Sequence, residues 1–322
     1  MDKKRLIIID SNAIIHRAYH ALPPLTTKKG ELINAIYGFL LFFLKAVREF
    51  KPDFIVAAFD LPGLTFRHKK YKLYKATRKK TPDELCQQIS KVKEILKAFD
   101  IQVFEKEGFE ADDVIGTVSK GVPSEIETII LTGDLDILQL VDKNTKAYTL
   151  KRGVKDAVLY DEEKVKERYG GLTPQQLIDF KSLRGDPSDN IPGVSGVGEK
   201  TAIALIKEFG SLGNLYQEIN KNSPKAKKIK DSLKKKLLDY KKQAFLSKTL
   251  VEINQQALTE FNLENCRWGE YNKEKVIEIL DNYGFQSLIK RLPEFKKEGY
   301  NKEKEVTKPG KEEENKKNLS LW

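Results

Sequence analysis

The chain has 322 residues, 40% of them hydrophobic, with 58 Lys and Arg against 47 Asp and Glu for a net charge of +11. That size fits one large or two modest folded units, and the positive balance favours a polyanionic partner such as nucleic acid. No stretch approaches the roughly 20 apolar residues of a membrane-spanning helix, and Cys86 and Cys266 lack metal-ligand spacing, which argues against a disulfide framework or a zinc centre and for the cytoplasm.

In chain order, RLIIID (5–10) is a short β-rich run closed by an acid, too short for the core of a signal peptide. An apolar helix is predicted around 31–50, and DFIVAAFD (53–60) reads as a second strand. FRHKKYKLYKATRKK (66–80) then carries eight Lys/Arg and no acid, with Phe66, Tyr71 and Tyr74 interleaved. Aromatics set among cations suit a single-stranded nucleic-acid track, where rings stack on bases; a basic run alone is more often a solvated face. A helix start at GFEADDVIG (108–116) precedes a third strand, IETIILTGD (126–134), and TKAYTL (145–150) adds one more. This β-α-β rhythm predicts an α/β fold with a mostly parallel central sheet and helices on both faces. The stretch 173–245 reads as entirely helical with glycine-rich turns, a second lysine-rich run covers 221–242, and 277–292 reads as a last amphipathic helix. Three regions follow: a core over 1–172, a helical region over 173–293, and a polar tail over 294–322 whose composition predicts disorder.

Asp10 and Asp60 end strand runs, and Asp134 and Asp136 follow a third. Ligands of open α/β sheets bind beyond the carboxyl ends of the strands, so three acidic strand ends imply a shared pocket. Any one of them is more often a turn former. Glu110, Asp112 and Asp113 stand at a helix start, where capping alone explains acids. Asp186 and Asp189, in KSLRGDPSDNIPGVSGVGEKTA (181–202), are ordinary turn chemistry when taken alone. Converging, these nine carboxylates need counter-ions. Hard divalent cations with oxygen ligands, Mg²⁺ or Mn²⁺, are the natural ones, and two such ions can support in-line phosphodiester hydrolysis.

The segments IIIDSNAIIHRAYHALPPL, AAFDLPGLTFRHKKYKLYKATR, GFEADDVIG, LTGDLDILQL and SLRGDPSDNIPGVSGVGEKTA occur in an order and spacing that resemble the bacterial 5′→3′ exonuclease and flap endonuclease family. The similarity is greatest to the N-terminal nuclease domain of bacterial DNA polymerase I and runs from about residue 5 to 293. The resemblance implies a PIN-like nuclease fold, a helical arch over about 66–98 and a helix-hairpin-helix region for duplex DNA. It implies metal ligation by Asp10, Asp60, Glu110, Asp112, Asp113, Asp134, Asp136, Asp186 and Asp189. Arg67, Lys75 and Arg78 are placed near the scissile phosphate, where cations offset developing charge. Tyr74 is a candidate to stack on a terminal base, and Lys69, Lys70, Lys72, Lys79 and Lys80 supply general attraction. The hairpin falls on Gly193, Val194, Gly196, Val197, Gly198, Lys200 and Thr201, with a potassium ion at its carbonyls. Ser11 stands where the family usually has glycine, and Leu135 where lysine is common.

The activity expected is a metal-dependent 5′→3′ exonuclease and 5′-flap endonuclease, free-standing and monomeric, acting in primer removal and repair. Its partners would be DNA with 5′ flaps or nicks and RNA/DNA primer junctions, in the cytoplasm at the nucleoid. A non-catalytic helix-hairpin-helix DNA-binding protein and another PIN-like ribonuclease are the alternatives. Nine carboxylates argue against the first, and the region 173–245 against the second. A P-loop reading of Gly193–Thr201 fails because Glu199 intervenes before Lys200 and no strand precedes the turn. The terminal KNLSLW resembles a sliding-clamp-binding peptide over Asn318, Leu319, Ser320, Leu321 and Trp322, with Asn for the usual Gln and Trp for Phe.

Overall fold

The computed structural model describes residues 3–151, 156–258 and 260–294. Six strands, β1 (Arg5–Asp10), β2 (Phe54–Ala58), β3 (Gln102–Phe104), β4 (Glu127–Thr132), β5 (Thr145–Leu150) and β6 (Ala157–Tyr160), form one sheet in the order β3-β2-β1-β4-β5-β6. All neighbours pair in parallel except β5 and β6. Strands β3 and β6 were not foreseen: three and four residues of half-buried chain carry too little pattern to read.

The continuous apolar runs of the inner strands reflect burial on both faces. Leu6 and Ile8 of β1 enter one core with Val56, Val114, Ile115 and Ile130. Ile7 and Ile9 point the opposite way, into a second core with Phe39, Phe43, Ile55, Ile95 and Leu131. The helices of this part of the chain are α1 (Ser11–Ala21), α2 (Asn34–Phe50), α3 (Phe66–Lys70), α4 (Asp83–Ala98), α5 (Ala111–Gly121) and α6 (Glu162–Arg168). The expected arch over 66–98 divides in two. Helix α4 is a core helix that buries Leu85, Val92, Ile95 and Leu96, so it does not stand free. The exposed lysines and Arg78 lie in α3 and the turns after it.

The helical region comprises α7 (Gln176–Arg184), α8 (Glu199–Phe209), α9 (Leu212–Asn220), α10 (Pro224–Lys227), α11 (Asp231–Asp239) and α12 (Lys241–Val251). Its apolar residues join the first core, with Phe180, Leu205, Leu215 and Leu237 buried beside the sheet residues. The last predicted helix is two, α13 (Lys273–Asn282) and α14 (Gln286–Ile289). Gly284 breaks it: its φ of +72° lies in the left-handed region, which ends a helix.

Two close approaches locate the site. Strand order reverses between β1 and β4, and there Gly133 lets the end of β4 meet α1, since a Cβ would lie 2.8 Å from the Ala13 carbonyl oxygen. Gly193 has φ +62° and packs on the Arg184–Gly185 backbone so tightly that a Cβ would fall 2.3 Å from the Gly185 nitrogen.

Candidate active site

The cleft at the carboxyl end of the sheet holds about 460 Å³ and is lined by Asp10, Asp60, Asp112, Asp134, Asp136 and Asp189 with Asn12, His16, Arg17, His20, Lys75 and Arg78. Two larger cavities, about 1030 and 1390 Å³, run along α2 and the C-terminal helices and hold none of the predicted site residues. Chemistry rather than size selects the acidic cleft.

Asp10 closes β1 and caps α1, accepting from the Ala13 amide at 3.2 Å. Thr132, the last residue of β4, donates its hydroxyl to Asp10 and accepts from the Asp134 amide at 2.9 Å, tying two strand ends together. Asp134 in turn accepts from the Asp136 amide at 2.9 Å. Asp60, just past β2, accepts from Ala111, the first amide of α5, at 2.7 Å. That contact matches an anion to the positive end of a helix.

Burial, together with the nearby Asp134 and Asp60 charges, pushes Asp10 up to about 7 although Thr132 opposes the shift. Burial and the Asp10 and Asp134 charges raise Asp112 well above the carboxylate range. Asp136 is pushed up to about 6 by burial and by Asp134, against the pull of Lys181. Such shifts mark negative charge in need of a cation.

The other acids are held by cations of the chain. Lys181, on α7, bridges Asp136 and Asp186, reaching the latter at 2.8 Å. Ser188 adds hydrogen bonds to Asp186 from its amide at 3.0 Å and its hydroxyl at 2.6 Å. Lys75 lies 2.7 Å from Glu110 and 3.9 Å from Asp189, and Arg78 pairs with Asp189. Although burial works against its charge, Glu110 and Asp189 hold the Lys75 ammonium above the ordinary lysine value. The Lys75 amide donates to the Asp189 carbonyl at 2.9 Å and Asn190 Nδ2 to the Leu73 carbonyl at 2.7 Å, so the basic turn is fastened to the acidic loop. Asp10, Asp60, Asp112 and Asp134 make no ion pair among the described residues.

Three expected roles need correction. Arg67 is 2% exposed and forks onto Asp113 with bonds of 2.7 and 2.8 Å. Two further N–H groups donate to the Leu250 and Glu252 carbonyls at 2.8 and 2.9 Å, and Nη1 also lies 3.4 Å from Glu110, so the guanidinium is engaged inside the protein rather than facing a phosphate. Asp113 is fully buried and also accepts from the Glu110 and Asn254 amides at 3.0 and 2.8 Å. Both its oxygens are occupied, and it does not line the cleft. Tyr74 is buried and donates its hydroxyl to Glu110 at 2.9 Å and Asp189 at 3.2 Å, leaving no ring face open for a base.

As they stand, no three acidic, His or Cys side chains among the described residues are placed to hold one ion. Their chemistry nonetheless fits one: carboxylate oxygens around a single cleft, several of them pushed up by burial and by each other, suit a hard divalent cation.

Lys69, Lys70 and Lys72 are exposed beside the cleft segment, Lys70 lying over the Phe66 ring at 5.6 Å. The Gly193–Gly198 turn is anchored from beneath by buried Val194 and Val197. The Gly193 amide donates to Ser247 Oγ at 3.1 Å, and its carbonyl accepts from Gln243 Nε2 at 2.7 Å. Gly198 is the N-cap of α8 without a side-chain cap, Lys200 is exposed and Thr201 is half-buried. Asn318–Trp322 lie outside the described residues. Lys181, Thr132, His16, His20, Gln243 and Ser247 escaped the sequence reading. Only Lys181 left a signal, on the helix that ends just before Asp186.

Residues 5–170 match the family model described as 5′-3′ exonuclease, N-terminal resolvase-like domain, and residues 172–274 the 5′-3′ exonuclease, C-terminal SAM fold. DNA polymerase I of Bacillus subtilis (strain 168) is 43% identical over 295 residues, covering 91% of this chain and 33% of that protein. DNA polymerase I of Caldicellulosiruptor bescii is 45% identical over 291 residues, covering 89% and 33%. The chain thus spans about a third of the length of the curated relatives it matches. In fold it is similar to T5 5′-exonuclease with divalent metal ions (zinc) bound, at a TM-score of 0.63 and 17% identity over 89% of this chain and 96% of that one. It is also similar to the catalytic core of Rad2 in complex with DNA substrate, at 0.56 and 19% over 90% of each.

Arg67→Met should cost about 3–5 kcal/mol of unfolding free energy, because it strands the Asp113 charge in a buried site. Urea denaturation measures this, and a loss below about 1 kcal/mol would contradict the pairing. The acids set a second expectation. A carboxyl whose folded pKa is raised stabilises the fold below its unfolded pKa and loses that contribution as pH rises through the folded one. In EDTA, the Asp10 contribution therefore falls between about pH 4 and about pH 7. The melting temperature of Asp10→Asn relative to the parent should accordingly climb across that window; a constant difference would disprove the shift.

Proposed function

The chain belongs to the 5′-3′ exonuclease family, and from that premise we propose that it hydrolyses phosphodiester bonds at 5′ flaps, nicks and primer junctions of DNA. The observation that carries this reading is the acidic cleft at the sheet's switch point, bordered by Lys75 and Arg78. Mg²⁺ is the proposed ion, two per site, with Mn²⁺ as a substitute; when bound, it supplies an activated water and charge compensation on the phosphate. Asp10, Asp60, Asp112 and Asp134 would hold it with least rearrangement, since none makes an ion pair among the described residues. Asp136 and Asp186 would have to exchange Lys181, and Glu110 and Asp189 would exchange Lys75 and Arg78. Lys75 and Arg78, which line the cleft, would then be free to offset charge that grows on the oxygens of a scissile phosphate. Exposed Lys69, Lys70 and Lys72 would attract the 5′ strand, and the 193–198 turn would take a duplex phosphate. A potassium ion at the turn carbonyls belongs to the same reading, supported by the resemblance of that turn.

A nucleoid-associated cytoplasmic role in primer removal and repair follows from such substrates. The terminal 317–322 peptide is proposed to bind a sliding clamp.

With Mg²⁺, a 5′-labelled flap duplex should be cut near its junction. EDTA or the pair Asp134→Ala with Asp136→Ala should stop the cutting while duplex binding persists. Intact substrate after long incubation at high enzyme would sink the proposal. Deleting 317–322 should abolish clamp capture by surface plasmon resonance and leave flap cleavage unchanged; equal clamp affinity would remove the peptide from the account.

A further inference from the structure

The lysine-rich run 221–242 has no part in the cleft, and several of its ammonium groups are engaged locally. Lys225 donates to the Glu208 carbonyl at 3.2 Å, Lys234 to Asn222 Oδ1 at 3.1 Å, and Lys241 lies over the Tyr216 ring at 5.5 Å. Lys236 is different. Its side chain lies against the 193–198 turn at Gly196, with Nζ 2.6 Å and Cδ and Cε each 3.6 Å from where a Cβ on Gly196 would stand. Gly196, at φ +78°, leaves the space that the lysine head fills.

That position is built. Leu237, the next residue, is fully buried, and its carbonyl accepts from Tyr216 Oη at 2.9 Å, which fixes this part of α11. The turn is fixed from the other side by Val194, Val197, Ser247 and Gln243. Yet Lys236 has no hydrogen-bond or ion-pair partner for its ammonium among the described residues, and it points at a turn that runs into the uncapped start of α8. The start of a helix carries partial positive charge, so a cation set beside it gains nothing within the protein. The combination suits an anion that both groups can share.

We propose that Lys236 is a positioning residue for duplex DNA: its ammonium and the Gly196–Gly198 backbone together seat one phosphate of the double-stranded arm. The inference rests on the nuclease reading above and adds to it a residue from outside both the cleft and the turn. The arrangement makes duplex grip depend on a side chain of α11, so single-stranded DNA, which need not reach the turn, should be indifferent to it.

The test uses the full chain. Lys236→Met keeps the stem and removes the charge, Lys236→Arg restores it, and Gly196→Ala puts a methyl where the ammonium lies. In EDTA, Lys236→Met should bind a 5′-flap duplex roughly tenfold more weakly, the worth of one charge-assisted hydrogen bond. The slope of log affinity against log salt should shrink by about 0.9, as for one lost phosphate contact. Gly196→Ala should weaken duplex binding in the same way, and Lys236→Arg should recover most of it. Under Mg²⁺, the KM for the flap duplex should rise with kcat kept, and the Kd for a single-stranded oligonucleotide of the same sequence should not move. An unchanged duplex Kd and salt slope in Lys236→Met, or an equal loss on the single strand, overturns the proposal. If the parent chain fails to cut flap duplex, the nuclease reading falls, while the EDTA binding series still reports on Lys236.

Discussion

Arg67 meets Asp113 through two parallel hydrogen bonds of 2.7 and 2.8 Å, in a place almost closed to water. The same guanidinium holds the end of α12 through Leu250 and the segment beyond it through Glu252, and Asp113 holds the Glu110 and Asn254 amides. One ion pair therefore joins α3, α5 and α12. Everything in the cleft that comes from the basic segment or from the start of α5 is aimed by that joint. A buried charge pair is an expensive way to make a fold, because both ions lose hydration. What it supplies here is direction: Asp113 is pinned on the buried side of α5 while its neighbour Asp112 lines the cleft.

Charge in the cleft is divided. Asp10, Asp60, Asp112 and Asp134 stand at strand ends and a helix start with no ion pair among the described residues, and Asp10 and Asp112 are driven toward the protonated form. Asp136, Asp186, Glu110 and Asp189 are occupied by Lys181, Lys75 and Arg78. On the proposed reading, an incoming ion would meet the first group as an unmet need and the second as a competition. The fold thereby separates ligands by how much must be displaced to use them, although all are carboxylates within one acidic region.

Much of this was legible beforehand. Acids at the ends of 5–10 and 53–60 and after 126–134 had to meet at one sheet edge once the strands were parallel, and they do. What sequence could not carry was the direction of a side chain. Asp112 and Asp113 are identical neighbours, yet helical geometry turns one into the cleft and the other into the core. Arg67 and Tyr74 sit in a run that looks uniformly solvated, and both are buried because α3 folds back on α5 and α12. Lys181 was hidden by the opposite habit, since a lysine on a helix is ordinarily a surface residue. The shortest strands and the break at Gly284 were lost because so few residues leave no period to detect.

Gly185 and Gly193 lie backbone against backbone, and between them Asp186 and Ile191 close a small antiparallel loop. The acids of that loop and the turn that follows it are therefore one stiff piece of main chain, with no flexible joint where side-chain changes could alter their separation. Substitutions at the surface can change how firmly each end holds its ligand. On the proposed reading, moving the point of reaction along a bound strand would take an inserted or deleted residue, for which the close contact of Gly185 and Gly193 leaves no room. Variation in this part of the molecule is thus confined to strength of grip, while distance is inherited whole.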